Sequence, residues 1–198
     1  SKQLASLADI FVNDAFGTAH RAHCSTVGIA DYLPAVSGFL IEKEIKFLGD
    51  AVANPARPFV AIMGGAKVAD KIPAIENLLT KVDALLIGGG MAYTFLKAKG
   101  CEIGKSILDA ESVELAAELM KKAEEMGVTM LIPTDAVCAS AFSDDAFVGV
   151  YDADAIPSDL MALDIGPETT TRYMAEVQKA QTVVWNGPMG VFEMEKYK

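Results

Sequence analysis

Short apolar runs that end in glycine and are followed by helical patterns recur along this sequence, and they constrain the fold more than any other feature. FVAIM precedes the glycines at 64–65, ALLI precedes those at 88–90, and TVVW precedes NGPMG at 186–190. Amphipathic helical spacing fills the intervals, as in SVELAAELMKKAEEMG. Strands that alternate with helices run parallel, because each helix returns the chain to the same end of the sheet. The sequence therefore predicts an α/β fold with a doubly wound, mainly parallel sheet in a Rossmann-like, three-layer arrangement.

Composition excludes several classes of protein. Apolar residues make up 52% of the 198 residues, which is ample for a packed core. The formal net charge of −10 argues against nucleic acids and anionic membranes as partners, and no apolar run reaches the ~18 residues of a membrane span. Three cysteines without a C-x-x-C pair favour neither a disulfide framework nor a zinc site, so we expect a cytoplasmic protein.

The chain divides into segments of different character. Residues 1–34 hold one strand and one polar loop, too little to bury a core, and we interpret them as the end of a preceding domain. Apolar residues at helical spacing predict a connecting helix over 35–54, capped by Ser37 and stopped by Asn54 and Pro55. Residues 55–198 form the main domain. The sequence does not begin with Met, and a secondary-structure element starts at its first residues. We therefore interpret it as part of a longer protein.

Glycines gather where the predicted strands end. In an open parallel sheet, ligands bind where the carboxyl ends of the strands meet the following loops. Residues 64–65, 88–90 and 186–190, which we call the three glycine junctions, share that edge. Glycine lets the backbone approach a ligand, and the helix N-termini behind such loops attract anions. A glycine can also simply turn the chain, but three junctions on one edge favour a phosphate site.

Lys67 and Lys71 follow the first junction at the spacing of one helical turn. On a helix they share one face, where two like charges cost roughly 0.2–0.5 kcal/mol unless an anion offsets them. Pro73 is tolerated only in the first turn of a helix, so we expect the helix to begin between Val68 and Ile72. Both lysines then lie at a helix N-terminus, which favours anions. The alternative is a pair of solvated surface lysines.

Two further charged residues are candidates for ligand contacts. Arg21 lies between two histidines in the polar loop GTAHRAHCSTVG, and a guanidinium can hold a phosphate or carboxylate through two contacts. Glu193 follows GPMGVF and can accept hydrogen bonds from ribose hydroxyls. Taken singly, each is equally consistent with a solvated surface residue.

Six motifs, in this order, resemble those of the phosphoglycerate kinase family: DIFVNDAFGTAHRAH, GFLIEKEI, VAIMGGAKVADKI, LIGGGMAYTFLKAKG, LDIGPET and VVWNGPMGVFE. The resemblance spans essentially the whole chain. It implies an incomplete phosphoglycerate kinase fold and a glycolytic, reversible phosphoryl transfer from 1,3-bisphosphoglycerate to ADP, giving 3-phosphoglycerate and ATP, with Mg²⁺ on the nucleotide. Members of the family are two-domain monomers with the nucleotide in the C-terminal domain.

The resemblance also implies roles for individual residues. Arg21 matches the arginine on the phosphoglycerate, Lys67 the lysine near the transferring phosphoryl group, and Lys71 the lysine on the nucleotide phosphates. The other nucleotide-binding positions of the family fall on Gly65, Gly88, Gly89, Gly90, Ala162, Asn186, Pro188 and Glu193. Ala162 departs from the glycine that many members have beside the adenine. The magnesium-binding aspartate is expected beyond Lys198, so no metal ligand is assigned within these residues.

Two other functions stay open. A dinucleotide-binding oxidoreductase domain lacks support, because no G-x-G-x-x-G follows a predicted strand. A non-catalytic nucleotide-binding α/β module is the second alternative, and the presence of both Lys67 and Lys71 argues against it. We expect the 198 residues by themselves to be inactive as a kinase.

Overall fold

The structure is a computed structural model that describes residues 1–66 and 68–197, the side chains of Asp50 and Asp70 excepted. The chain forms two compact units, Ser1–Pro55 and Ala56–Lys198. Among the described residues, no helix combines the length and the apolar character that crossing a membrane requires.

The first unit is built from short elements around a two-stranded parallel ladder. The ladder pairs β1 with β2, and Phe11 lies opposite Ala35. The strands and helices of this unit are α1 (Lys2–Ala5), β1 (Phe11–Asn13), α2 (Phe16–Ala19), β2 (Ala35–Ser37), α3 (Phe39–Glu44) and α4 (Asp50–Ala53), with a 3₁₀ turn at Gly28–Asp31 and a π turn at Ile45–Gly49.

The connecting helix predicted over 35–54 begins later than the sequence pattern indicated. Residues 35–37 belong to β2, because their backbone groups pair with those of β1. The helical run begins at Phe39 and continues through the π turn to Ala53. Its end before Asn54 agrees with the prediction, whereas the choice of Ser37 as its N-cap was wrong.

Gly38 and a distant carboxylate supply the cap instead. Gly38 takes the N-cap position with an extended backbone at ψ 176°. Oδ1 of Asp14 accepts hydrogen bonds from the N–H groups of Leu40, at 2.8 Å, and Ile41, at 3.0 Å. These N–H groups have no intrahelical partner, so the carboxylate satisfies them and also suits the positive end of the helix.

The second unit contains the parallel sheet that the sequence predicted. Its four strands follow the order β11–β3–β4–β6, and every pair in it is parallel. All residues of β3 and β4 are buried. The strands of the second unit are β3 (Phe59–Met63), β4 (Ala84–Ile87), β5 (Glu102–Ile103), β6 (Thr129–Leu131), β7 (Asp135–Ala139), β8 (Val148–Asp152), β9 (Ala155–Ile156), β10 (Met161–Ile165) and β11 (Thr182–Asn186).

Helices cover both faces of this sheet, which confirms the doubly wound arrangement. Alternate strand residues such as Ala61 and Leu85 pack with α5, α6 and α7 on one face. The intervening residues, such as Ile62 and Leu86, pack with Tyr173 of α8 on the other face. The helices are α5 (Ile72–Leu79), α6 (Ala92–Ala98), α7 (Val113–Glu125) and α8 (Pro167–Lys179), with 3₁₀ turns at Ala69–Lys71, Ala110–Ser112 and Glu195–Tyr197.

A second, antiparallel sheet was not anticipated. Its order is β10–β7–β8, and both of its pairs are antiparallel. The extended conformation predicted for AFVGVYDADAI is found in β8 and β9. The sequences of β7 and β10, DAVCA and MALDI, are short and do not alternate apolar with polar residues, so they carry no strand periodicity.

Asp135 joins the antiparallel sheet to α8. Its carboxylate accepts hydrogen bonds from the N–H groups of Glu168, at 2.9 Å, and Thr169, at 2.7 Å, in the first turn of that helix. The hydroxyl of Thr169 donates to Oδ1 of Asp135 at 2.6 Å and accepts from the N–H of Thr134 at 2.9 Å. Burial raises the pKa of Asp135, but these hydrogen bonds outweigh it and hold the pKa below its usual value.

Asp135→Asn is expected to lower the free energy of unfolding by about 2 kcal/mol at neutral pH, because an uncharged amide replaces a buried, fully bonded carboxylate. Because the pKa is lowered, the Asp135 carboxylate contributes fully to the free energy of unfolding above the ordinary Asp pKa of about 4. This contribution is lost as the pH falls below that value. Urea unfolding at neutral pH and at about pH 3 should therefore show the difference between the two proteins narrowing in acid.

Thr169→Ser is the matched control for this substitution, because it keeps the hydroxyl that bonds to Asp135. It also deletes a buried methyl group, so its free energy of unfolding should fall by an amount that does not change with pH. A stability difference between Asp135→Asn and the wild type that does not change with pH would contradict the assigned ionisation.

Candidate functional site

The three glycine junctions lock into one another through backbone hydrogen bonds. The N–H of Gly64 donates to the carbonyl of Asn186 at 2.8 Å, and the N–H of Gly65 donates to that of Pro188 at 3.2 Å. The second junction joins the same set, because the N–H of Gly89 donates to the carbonyl of Met189 at 2.8 Å. The edge chosen from the sequence is therefore one continuous backbone surface at the carboxyl ends of β3, β4 and β11.

Glycine is required for this close approach of three backbones. A Cβ on Gly64 would overlap the carbonyl oxygen of Pro188, and a Cβ on Gly187 would overlap the carbonyl of Gly64. Gly187 also has φ 86°, in the left-handed region that side chains rarely adopt. These glycines therefore do more than turn the chain after a strand, which was the alternative explanation from sequence.

A cavity of about 680 Å³ opens beside the junctions. Its volume suits a ligand of the size of a nucleotide. Residues that the sequence singled out form part of its wall, and they are Gly65, Gly89, Gly90, Ala162, Pro188 and Glu193. The structure thus brings six predicted residues together, and their contact with a ligand stays a prediction.

Lys71 lies at the edge of this cavity rather than in its wall. Its Nζ donates a hydrogen bond to Oδ1 of Asn186, so two predicted residues contact each other directly. A Cβ on Gly65 would lie 3.8 Å from Cε of Lys71, which places the lysine side chain beside the first junction. Gly88 adjoins the cavity through its neighbour Gly89 and packs against Met189, whose sulfur a Cβ on Gly88 would overlap.

The helix after the first junction begins where the sequence predicted. A 3₁₀ turn at Ala69–Lys71 leads into α5, and Pro73 lies in the first turn of that helix. Lys71 is therefore the residue directly before α5, as a lysine at a helix N-terminus should be. Lys67, the other predicted lysine, lies outside the described residues.

Arg21 belongs to the first unit and lies in an exposed loop after α2. The loop is held by Thr26, which is buried and whose hydroxyl donates to the carbonyl of Arg21 at 2.6 Å. The N–H of His23 donates to the same carbonyl at 2.9 Å. The backbone of Arg21 is thus fixed, and its guanidinium makes no hydrogen bond or ion pair within the described part of the chain.

Part of the cavity wall is apolar, and sequence reasoning missed most of it. Ile107 and Phe142 expose half or more of their surface, as expected for side chains at the wall of an open cavity. Leu163 and Val191 also belong to this apolar part of the wall. These residues come from separate segments and carry neither glycine nor charge, so no local pattern marks them.

Two polar residues in the wall were also missed. Lys105 lines the cavity and follows Gly104, which has φ 55°, and that glycine is the one local signal that could have drawn attention to it. Tyr93 lines the cavity from α6 and is buried. Ala162, predicted beside an adenine, lies in the same hydrophobic cluster as Tyr93, and its N–H donates to Oγ of Ser106 at 2.9 Å.

Burial shapes the ionisation of the groups behind this wall. Burial raises the pKa of the Cys138 thiol to about 11, so it stays protonated near neutral pH. Burial also raises the pKa of Asp164, and a hydrogen bond from the N–H of Ile165 opposes this shift. Within the described residues, no three His, Cys, Asp or Glu side chains are grouped so that they could hold a metal ion.

Comparison with known proteins gives one consistent family. The family model described as phosphoglycerate kinase matches residues 1–198. A phosphoglycerate kinase of Clostridium tetani is 60% identical over 198 residues, covering 100% of this chain and 49% of the relative. One of Moorella thermoacetica is 61% identical over 197 residues, covering 100% of this chain and 50% of the relative.

Solved structures agree with this result. Phosphoglycerate kinase from Coxiella burnetii superposes with a TM-score of 0.90 at 47% identity, covering 98% of this chain and 50% of that one. The enzyme from Pyrococcus horikoshii gives a TM-score of 0.78 at 33% identity, covering 99% of this chain and 50% of that one. The chain spans about half the length of the relatives it matches. By its match over all 198 residues, the chain belongs to the phosphoglycerate kinase family.

Proposed function

We propose that this chain provides the nucleotide site for reversible phosphoryl transfer between 1,3-bisphosphoglycerate and ADP, which gives 3-phosphoglycerate and ATP. The observation that carries the proposal is the cavity beside the three glycine junctions, because six residues with nucleotide-binding counterparts in the family meet in its wall. A site built from three separate strand ends goes beyond what turns require, and an open parallel sheet binds ligands at this edge.

The phosphates are assigned to the end of the cavity at the junctions. Lys71 provides a positive charge there, and its bond to Asn186 holds the ammonium beside the first junction. A glycine backbone without side chains lets phosphate oxygens approach the chain closely. Charge-assisted hydrogen bonds of this kind are about twice as strong as neutral ones, so Lys71 is the main cationic anchor in the proposal.

The base and the ribose are assigned to the other end. Apolar side chains such as Phe142 and Leu163 can pack against a planar base. The methyl group of Ala162 adds to this surface instead of blocking the cavity, because it lies within the wall. Glu193 is exposed at the mouth, where its carboxylate can accept hydrogen bonds from ribose hydroxyls.

Phosphoryl transfer requires positioning and cations more than covalent help from the protein. In the proposal Lys67 stabilises the charge on the phosphoryl group while it is transferred, and no side chain is needed as a general base or nucleophile. Mg²⁺ would arrive with the nucleotide phosphates and neutralise their charge. Because the described residues hold no group of metal ligands, we assign no residue to the metal and derive no step through it.

The phosphoglycerate is assigned to Arg21. Its guanidinium suits the carboxylate or the phosphate of that substrate, and its loop is fixed by the hydroxyl of Thr26. We propose that the whole protein acts as a monomer in the cytoplasm on these small molecules, without nucleic acid or membrane partners. This part of the proposal follows from the family and from the acidic composition.

Lys71→Ala is expected to weaken ADP binding by roughly 1.5–3 kcal/mol, because it removes a charge-assisted contact to phosphate. Calorimetric titration of the chain with ADP measures the change directly. Lys121→Ala is the matched control, because Lys121 is exposed on α7 and its ion pair among the described residues is with Glu125 of the same helix. Equal affinities for Lys71→Ala and the wild type would remove Lys71 from the site.

Arg21→Ala is expected to raise the apparent constant for 3-phosphoglycerate and to leave that for ATP nearly unchanged. The measurement is steady-state kinetics on a protein that carries this segment at the full length of its relatives. Lys46→Ala, which alters an exposed cation of the same unit, should change neither constant. A loss of ATP affinity with unchanged 3-phosphoglycerate affinity would show that the two substrates are assigned to the wrong units.

The 198-residue chain by itself is expected to bind ADP without catalysing transfer. Arg21 is the one residue assigned to phosphoglycerate here, and alignment of two reactants is worth roughly 7–11 kcal/mol of a reaction barrier. A coupled assay on the purified chain, run beside the ADP titration, tests this expectation. Turnover at the rate of full-length relatives would show that the chain assembles a complete site.

A further inference from the structure

The turn that carries Lys71 is held by a carboxylate from a different part of the chain. The 3₁₀ turn at Ala69–Lys71 is closed by a hydrogen bond of 2.8 Å from the N–H of Lys71 to the carbonyl of Val68. N–H groups at the start of such a turn have no partner within it. Oδ2 of Asp109 accepts a hydrogen bond from the N–H of Ala69 at 3.3 Å, although the two residues are 40 positions apart. Asp109 therefore caps the turn from outside.

Asp109 is itself anchored to a buried side chain. Its N–H donates a hydrogen bond to Oγ1 of Thr94 at 3.2 Å. Thr94 is fully buried in α6, the helix that follows the second glycine junction. Asp109 thus links the helix behind the second junction to the turn behind the first. Neither Asp109 nor Thr94 has a part in the proposed chemistry.

The segment that leads to Asp109 is fixed as well. Ile107 lies against the second junction, because a Cβ on Gly90 would lie 2.6 Å from Cγ2 of Ile107. One residue earlier, Oγ of Ser106 accepts a hydrogen bond from the N–H of Ala162 at 2.9 Å. A carboxylate on a segment with these contacts has a defined position. It can therefore define the position of the turn that it caps.

The position of this turn matters because Lys71 is its last residue. A lysine side chain is long and flexible, and ordering it at a ligand costs binding free energy. Fixing the backbone from which the side chain starts reduces that cost. A carboxylate is an unexpected group beside an anion site, since its charge repels phosphate. Its presence is explained if the placement of Lys71 contributes more to phosphate binding than the repulsion removes.

We propose that Asp109 is a positioning residue of the nucleotide site, whose carboxylate holds the turn at Ala69 so that Lys71 is in place for the nucleotide phosphates. The inference rests on the proposed nucleotide site and adds to it a residue that contacts no ligand. Because Asp109 acts through Lys71, its contribution to nucleotide binding disappears when the ammonium of Lys71 is absent.

Calorimetric titration of the chain with ADP tests this inference through a double-mutant cycle. Asp109→Ala removes the cap and should weaken ADP binding about fivefold, which is the usual worth of one hydrogen bond. The same substitution in the Lys71→Ala protein should cause no further loss, because two residues that act as a unit are not additive. Asp109→Asn keeps an oxygen that can accept from the N–H of Ala69, so it should bind ADP about as tightly as the wild type.

Glu111→Ala is the matched control, because it removes an exposed carboxylate from the neighbouring 3₁₀ turn. It should leave ADP affinity unchanged. Additive losses for Asp109→Ala and Lys71→Ala would indicate a general structural role and would overturn the inference. Unchanged or tighter ADP binding by Asp109→Ala would overturn it too, since the carboxylate would then act only by its charge. In both cases the nucleotide site stands if Lys71→Ala weakens ADP binding, whereas a wild type that does not bind ADP overturns both proposals.

Discussion

The interlocking of the three glycine junctions is the constraint on which the second unit depends. The N–H groups of Gly64 and Gly65 bond to carbonyls of the third junction, which brings the ends of β3 and β11 together. The N–H of Met91 bonds to the carbonyl of Gly65 at 2.8 Å and ties in the start of α6. Because a Cβ would prevent these approaches, the same glycines that close the structure also leave a backbone surface free of side chains beside the cavity.

The parallel sheet makes this edge possible. Its central strands are buried on both faces, so their side chains are committed to the core and cannot bind a ligand. Contacts to a ligand can therefore come only from the loops at the strand ends, where the backbone leaves the sheet. The antiparallel sheet then adds the apolar wall of the cavity, since Ala162 and Leu163 belong to β10. Both sheets thus contribute residues to the wall of one cavity.

The sequence predicted the parts of the structure that local patterns encode. Continuous apolar runs and their glycines located β3, β4 and β11 and the junction residues of the cavity wall, whereas Ala162 was reached only through the family resemblance. The N-cap of the helix that begins at Phe39 was misplaced, because its cap is the carboxylate of Asp14, far away in the sequence. The network of Asp135 and Thr169 and the position of Tyr93 likewise depend on tertiary neighbours. No periodicity within a short window can reveal such partners.

The net charge of −10 does not conflict with an anion site, because the cations that matter are local. Lys71 lies beside the junctions and Lys105 lines the cavity, whereas acidic residues such as Glu76 and Glu125 pair with lysines on the helices. Charges on an exposed surface are screened beyond about 8–10 Å at physiological ionic strength, so distant carboxylates contribute little to the potential in the cavity. The acidic surface can limit non-specific association, while in the proposed site a few fixed cations and backbone dipoles would determine which anion is accepted.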